Sequence, residues 1–130
     1  MKFGIAVPNF GAFAAREQIT EIAGLAEELL YDSLWVSDHV IIPISHKVFG
    51  DTFLDPLVTL ACIAGFTNKI ELGTSVVILP YRNPLVLAKM VSTLDTLSRG
   101  RVILGIGAGW LEEEFKALGV PFGERGKITD

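Results

Sequence analysis

Asp38 and His39 place a carboxylate beside an imidazole directly after the apolar run Ser33–Ser37. Such a pair at a strand end can orient a ligand and move a proton near neutral pH. The structural reading is a rim histidine and an aspartate that caps a turn; position alone weighs the two evenly. Gly105-Ile106-Gly107-Ala108-Gly109-Trp110 follows a second apolar run. Glycines there allow close backbone approach to a ligand, and the following helix N-terminus favours anions. The motif departs from G-x-G-x-x-G because residue 110 is Trp, and no acidic residue follows about 20 positions on at a strand end, so a dinucleotide-binding reading is weak. A nucleoside-cofactor methyltransferase carries a similar glycine motif earlier in its chain, and that reading ranks last.

Other residues carry less. Thr74 and Ser75 are small hydroxyl residues inside a hydrophobic strand. They read either as backbone-bonded hydroxyls or as a bulge or strained peptide that admits a flat ligand. Pro8-Asn9-Phe10-Gly11 reads first as a turn. Arg82 is expected to be solvated, His46 to be exposed, and Cys62 to be a buried packing residue. No H-x-x-H cluster, Walker A sequence or G-x-S-x-G elbow occurs.

The elements that position these residues alternate. Nearly continuous apolar runs at Lys2–Val7, Ser33–Ser37, Ile70–Leu79 and Arg101–Gly105 read as strands buried on both faces. Between them, helical periodicity runs from about Ala14 to Leu30, from Asp55-Pro56 onward, from Asn83-Pro84 to Gly100, and from near Trp110 to Gly119. Asp-Pro and Asn-Pro each supply an N-cap oxygen followed by a residue suited to the first helical turn. The last residues look like the start of a further helix. A β-α-β-α-β-α-β-α order demands parallel strands with right-handed crossovers. Two architectures satisfy it: an open doubly wound sheet, or about four units of a (β/α)8 barrel.

Composition narrows the function classes. The 130 residues are 50% hydrophobic and 20% charged, which excludes disorder as the main state. Eleven basic against fifteen acidic residues give a net charge of −4, which argues against a nucleic-acid partner. No apolar run reaches the length of a membrane span, the first residues do not read as a signal peptide, and the single cysteine argues against a disulfide or a thiolate metal site. A cytoplasmic protein acting on a small molecule, with no metal and no membrane partner, is the expectation.

Taken together, the strand ends resemble the N-terminal part of the bacterial luciferase-like monooxygenase superfamily, and within it the deazaflavin-dependent (coenzyme F-420) oxidoreductases. The matching residues run from Phe3-Gly4-Ile5 and Pro8-Asn9-Phe10-Gly11 to Leu34-Trp35-Val36-Ser37-Asp38-His39 and Asp55-Pro56. They continue through Leu72-Gly73-Thr74-Ser75-Val76 and Leu79-Pro80-Tyr81-Arg82-Asn83-Pro84 to Leu97-Ser98-Arg99-Gly100-Arg101 and Leu104-Gly105-Ile106-Gly107-Ala108-Gly109-Trp110. The resemblance implies an α/β fold, the N-terminal half of a (β/α)8 TIM barrel, forming one domain over residues 1–130. It implies hydride chemistry with coenzyme F-420, or alternatively oxygen activation with FMN. Asp38 and His39 would lie beside the cofactor ring, with His39 as proton donor or acceptor and Asp38 orienting it or bonding the cofactor. Ser75 and Val76 would form a non-prolyl cis peptide behind the ring, and Gly107, Ala108 and Gly109 would lie near the cofactor. Trp110 stands where some deazaflavin sugar-phosphate dehydrogenases have an acidic residue.

Half a barrel leaves its edges and inner face uncovered, lined by Ile5, Val36, Val77 and Ile103 or their alternating neighbours. The expectation is therefore a homo-oligomer or a missing C-terminal half-barrel. A non-catalytic half-barrel serving as a binding or assembly module is the rival from another class.

Overall fold

The computed structural model describes residues 1–43, 45–46 and 49–130. Four segments form one parallel sheet: β1 (Gly4–Ala6), β2 (Ser33–Val36), β3 (Glu71–Thr74) and, beyond a short β4 (Val77–Ile78), β5 (Val102–Ile103). A last strand, β6 (Ile106–Gly107), pairs with β4. The spatial order β1-β2-β3-β5 follows the chain order without reversal. A doubly wound sheet reverses its order at a switch point, so the open-sheet alternative falls. The chain is the N-terminal part of a (β/α) barrel.

Helices α1 (Arg16–Glu28), α2 (Pro56–Ala64), α3 (Pro84–Ser98), α4 (Glu112–Leu118) and α5 (Arg125–Thr129) complete the chain. The two Pro-started helices begin as their sequences dictate. Asp55 Oδ1 accepts from the N–H groups of Leu57 and Val58 at 2.9 and 3.0 Å. Asn83 Oδ1 does the same for Leu85 and Val86 at 3.0 and 3.2 Å. These bonds satisfy donors that no helical carbonyl reaches.

The core lies between the helices and one face of the sheet. Leu34, Val36 and Leu72 pack there against Ile19 and Ala23 of α1, Leu60 and Ile63 of α2, and Leu94 of α3. Alternation along β2 sends Trp35 to the opposite, inner face, where its indole lies against Gly4 and Gly73 of the flanking strands. A Cβ on either glycine would stand 2.4 Å from the Trp35 side chain. Val36 and Val77 belong to the helix-side core and Ile5 packs against it, so their alternating neighbours line the inner face. Cys62 is exposed, contrary to expectation. Leu60 and Ile63 take the inward stripe of α2, which leaves Cys62 on its outer face.

The third expected strand, Ile70–Leu79, breaks in two, and the fourth, expected over Arg101–Gly105, ends early and is followed by a further strand outside that range. The Ser75–Val76 peptide is cis and separates β3 from β4, at the place where an irregularity was expected. Opposite it, β5 stops before Leu104 and β6 resumes at Ile106. The Thr74 hydroxyl joins the two breaks: it donates to the Gly105 carbonyl at 2.8 Å and accepts the Gly105 N–H at 3.0 Å. Continuous apolar sequence conceals such a break because residues on either side of it are buried alike.

Candidate functional site

The breaks open a cleft at the carboxyl ends of the strands, where barrel proteins place their chemistry. Its volume is about 430 Å³, and Phe10, Asp38, His39, Ser75, Val76 and Trp110 are among its lining residues. A larger hollow of about 590 Å³ lies between α2 and α3. Apolar side chains, Thr93 and Lys89 line it, with no facing pair of titratable groups, so the strand-end cleft is the candidate site.

The aromatic wall comes from three separate segments. The residues after Val40 fold back on the end of β1: Gly11 N–H donates to the Thr52 carbonyl at 2.9 Å and Leu54 N–H to Asn9 at 2.8 Å. That return stacks Phe53 on Phe10 with ring centroids 5.2 Å apart. His39 meets Phe53 and Trp110 edge-on at 5.1 and 5.7 Å and lies tilted against Phe49 at 5.4 Å. His46, expected to be exposed, is half-buried with its ring against Trp110. Asn9 is more than turn punctuation. Its buried amide donates to the carbonyls of Ser37 and Leu54 at 2.8 Å each and accepts the Ser37 N–H at 3.0 Å, tying three cleft-forming segments together.

Asp38 and His39 are both buried, but their partners differ. The Asp38 carboxylate pairs with Arg82 through both guanidinium nitrogens and accepts the Ile78 N–H at 2.9 Å. Arg82 also reaches Asp55 at 3.2 Å, so it is locked between two carboxylates rather than solvated. Burial opposes the charge on Arg82, yet Asp38 and then Asp55 outweigh it and raise its pKa. Asp38 thus braces the cleft wall that it helps to line, and the residue that meets His39 is Glu114.

Glu114 is fully buried on α4. Its Oε2 lies 2.6 Å from His39 Nδ1 and accepts the Tyr81 hydroxyl at 3.1 Å. Its Oε1 accepts the Val40 and Ile41 N–H groups at 2.7 and 3.0 Å. Burial pushes the Glu114 carboxyl up, but His39 and the two backbone donors overcome this and hold it below the ordinary glutamate range. Burial, then the adjacent Glu114 charge, push the Tyr81 phenol up, so it remains a donor. The sequence carries a signal for Glu114: Leu111, Glu114, Phe115 and Leu118 share one helical face, which puts a carboxylate in an apolar stripe. A buried carboxylate needs partners.

The glycine turn is divided. Gly109 and Trp110 line the cleft, whereas Gly107 pairs with Ile78 and stands behind it. A Cβ would come within 2.1 Å of the Thr74 carbonyl at Gly105, and within 2.6 Å of Val76 Cγ2 at Gly107. At these positions the missing side chains let β6 approach the broken third strand. Among the described residues no group of three His, Cys, Asp or Glu side chains is placed to hold a metal. Among the described residues no helix is long and apolar enough to cross a membrane.

Comparison with known proteins agrees with this geometry. A family described as luciferase-like monooxygenase matches residues 1–130. The F420-dependent glucose-6-phosphate dehydrogenase of Amycolatopsis mediterranei is 39% identical over 78% of this chain and 30% of its own length. The 4-hydroxyprotoasukamycin monooxygenase of Streptomyces nodosus subsp. asukaensis is 36% identical over 77% of this chain and 25% of its own. The crystal structure of monooxygenase RslO1 from Streptomyces bottropensis superposes with a TM-score of 0.85 at 31% identity, covering all of this chain and 40% of that one. The chain spans about two fifths or less of the length of these relatives.

Proposed function

Since the chain belongs to the luciferase-like monooxygenase family, we propose that its cleft holds the ring of a reduced deazaflavin, coenzyme F-420, beside a small organic substrate. The observation that carries this reading is the His39 ring, set in an aromatic-walled slot that faces the Ser75–Val76 peptide and Gly109. The slot has the size and the apolar walls of a small-ligand site with few polar groups. A flat heteroaromatic ring fits that description.

When bound, the deazaflavin supplies a hydride to an unsaturated or carbonyl carbon of the substrate. His39 supplies or receives the accompanying proton, or holds the ring in place. Ser75, Val76 and Gly109 line the slot and would border the ring, while Gly107 and Ala108 would support the turn that carries Gly109. Asp38 keeps Arg82 and the Ile78 N–H in place behind the slot. None of the residues lining the slot is Lys or Arg. Phosphate anchoring therefore falls to residues outside it, in keeping with the anion sites that barrels build after their seventh and eighth strands.

The alternative is an FMN-dependent monooxygenase; the 31% identity over the whole chain to RslO1, itself a monooxygenase, favours the oxygenase part of that reading. The discriminating experiment takes a polypeptide that completes the barrel and titrates it with reduced F-420 and with reduced FMN. Substrate reduction with F-420 alone supports the reading; oxygen-dependent turnover with FMN alone replaces it. His39→Ala should lower turnover with the fold intact, and undiminished turnover with every substrate removes His39 from the chemistry.

A further inference from the structure

The Glu114 carboxylate accepts four hydrogen bonds, two at each oxygen. An ionised carboxylate has no hydrogen to give, so the bond to His39 requires the hydrogen to sit on Nδ1. Among the described residues, Nε2 has no protein partner, and the protein leaves no unsatisfied polar side-chain atom sealed from solvent. Nε2 therefore opens on the cleft that His39 lines.

We propose that Glu114 is the positioning residue of this site, fixing His39 as the Nδ1–H tautomer so that Nε2 alone exchanges protons with a molecule in the cleft. The same carboxylate holds the Val40 and Ile41 N–H groups, so the ring and the start of the loop bearing Phe49 and Phe53 share one anchor. Asp38 cannot take this role, because Arg82 and the Ile78 N–H occupy its oxygens. The role of Nε2 as a proton-exchanging atom rests on the function proposed above; the tautomer rests on the hydrogen bonds alone.

The arrangement makes an unusual demand of Glu114→Gln. The Val40 and Ile41 N–H groups are fixed donors and keep the one amide oxygen of glutamine. Its NH2 group then faces His39, and the tautomer must reverse so that Nδ1 accepts and Nε2 carries the hydrogen. The Tyr81 hydroxyl can rotate to accept the second amide hydrogen.

The test uses 15N-histidine-labelled chain and magic-angle-spinning NMR, whose lines do not depend on tumbling. The sequence has two histidines, so His46→Gln leaves one ring to assign. With the ring neutral, the expected result is a pyrrole-type Nδ1 and a pyridine-type Nε2, reversed in the Glu114→Gln background. An Nε2–H ring before that substitution, or an Nδ1–H ring after it, overturns the proposal. Should the glutamine variant fail to fold, the first spectrum still decides the tautomer. Because this readout needs no cofactor and no turnover, it stands or falls separately from the assignment of F-420. In the barrel-complete polypeptide, a positioning role further predicts that Glu114→Gln lowers kcat by tenfold or more and changes KM less than threefold. A loss confined to KM removes Glu114 from that role.

Discussion

The Asp38–Arg82 pair shows a carboxylate expected to do chemistry serving as a structural member. The side chain of Asp38 is wholly buried and that of Arg82 is 15% exposed. Removing one partner of such a pair strands the other charge in the interior, at a cost of about 3–5 kcal/mol. Arg82→Ala is therefore expected to lower the urea midpoint sharply, and an unchanged midpoint would show the pair to be idle. Glu114 gives a pH signature. Its carboxyl is held below the ordinary glutamate value of 4.5 in the folded chain. Its contribution to stability is therefore present above that value and is lost as pH falls through the lowered one. Urea midpoints measured downward from pH 6 should fall less steeply in Glu114→Gln than in the parent; equal slopes would contradict this. Asp38 and His39 were legible in the sequence because they follow a strand directly. Their different partners were not, because Arg82 lies 44 positions from Asp38 and Glu114 lies 75 from His39. Only the closing of the barrel wall brings them together.

Among the elements, the paired breaks in the third and fourth strands matter most. Glycine at position 105 is required by the Thr74 carbonyl, which a Cβ would approach to 2.1 Å. Overpacking against side chains costs about 1–3 kcal/mol, and a backbone carbonyl yields less readily. Gly105→Ala should therefore destabilise the chain by at least that much, whereas Gly123→Ala, with nothing within 4 Å of the added carbon, should leave the urea midpoint unchanged. Comparable losses at both positions would mean that crowding is not the cause. The helices were readable in advance because Asp55-Pro56 and Asn83-Pro84 write their caps locally. The strand breaks depend on contacts between distant segments, and their local traces were the small hydroxyl residues Thr74 and Ser75 on one side and Gly105 on the other.

On the scale of the whole molecule, β1 and β5 are the outer strands of the four-stranded sheet, each paired on one side among the described residues. Phe3, Leu104 and Ile106 are exposed nearby. Unpaired strand edges beside apolar surface invite association, so sedimentation of the 130-residue chain should show concentration-dependent dimers or larger species at micromolar protein. A stable monomer under those conditions would refute this. Four alternating units left two architectures open in the sequence, the family resemblance pointed to the barrel, and the unreversed strand order of the structure chose it. One further consequence is optical. The chain has two tryptophans. Trp35 lies across Gly4 and Gly73 on the inner face, and Trp110 stands at the cleft with 55% of its surface exposed. Trp110 should emit at longer wavelength and be the indole that acrylamide quenches first. A flat dye entering the cleft should dim that red component and spare the blue, an effect that Trp110→Phe abolishes, so ligand binding can be followed by the protein's own light.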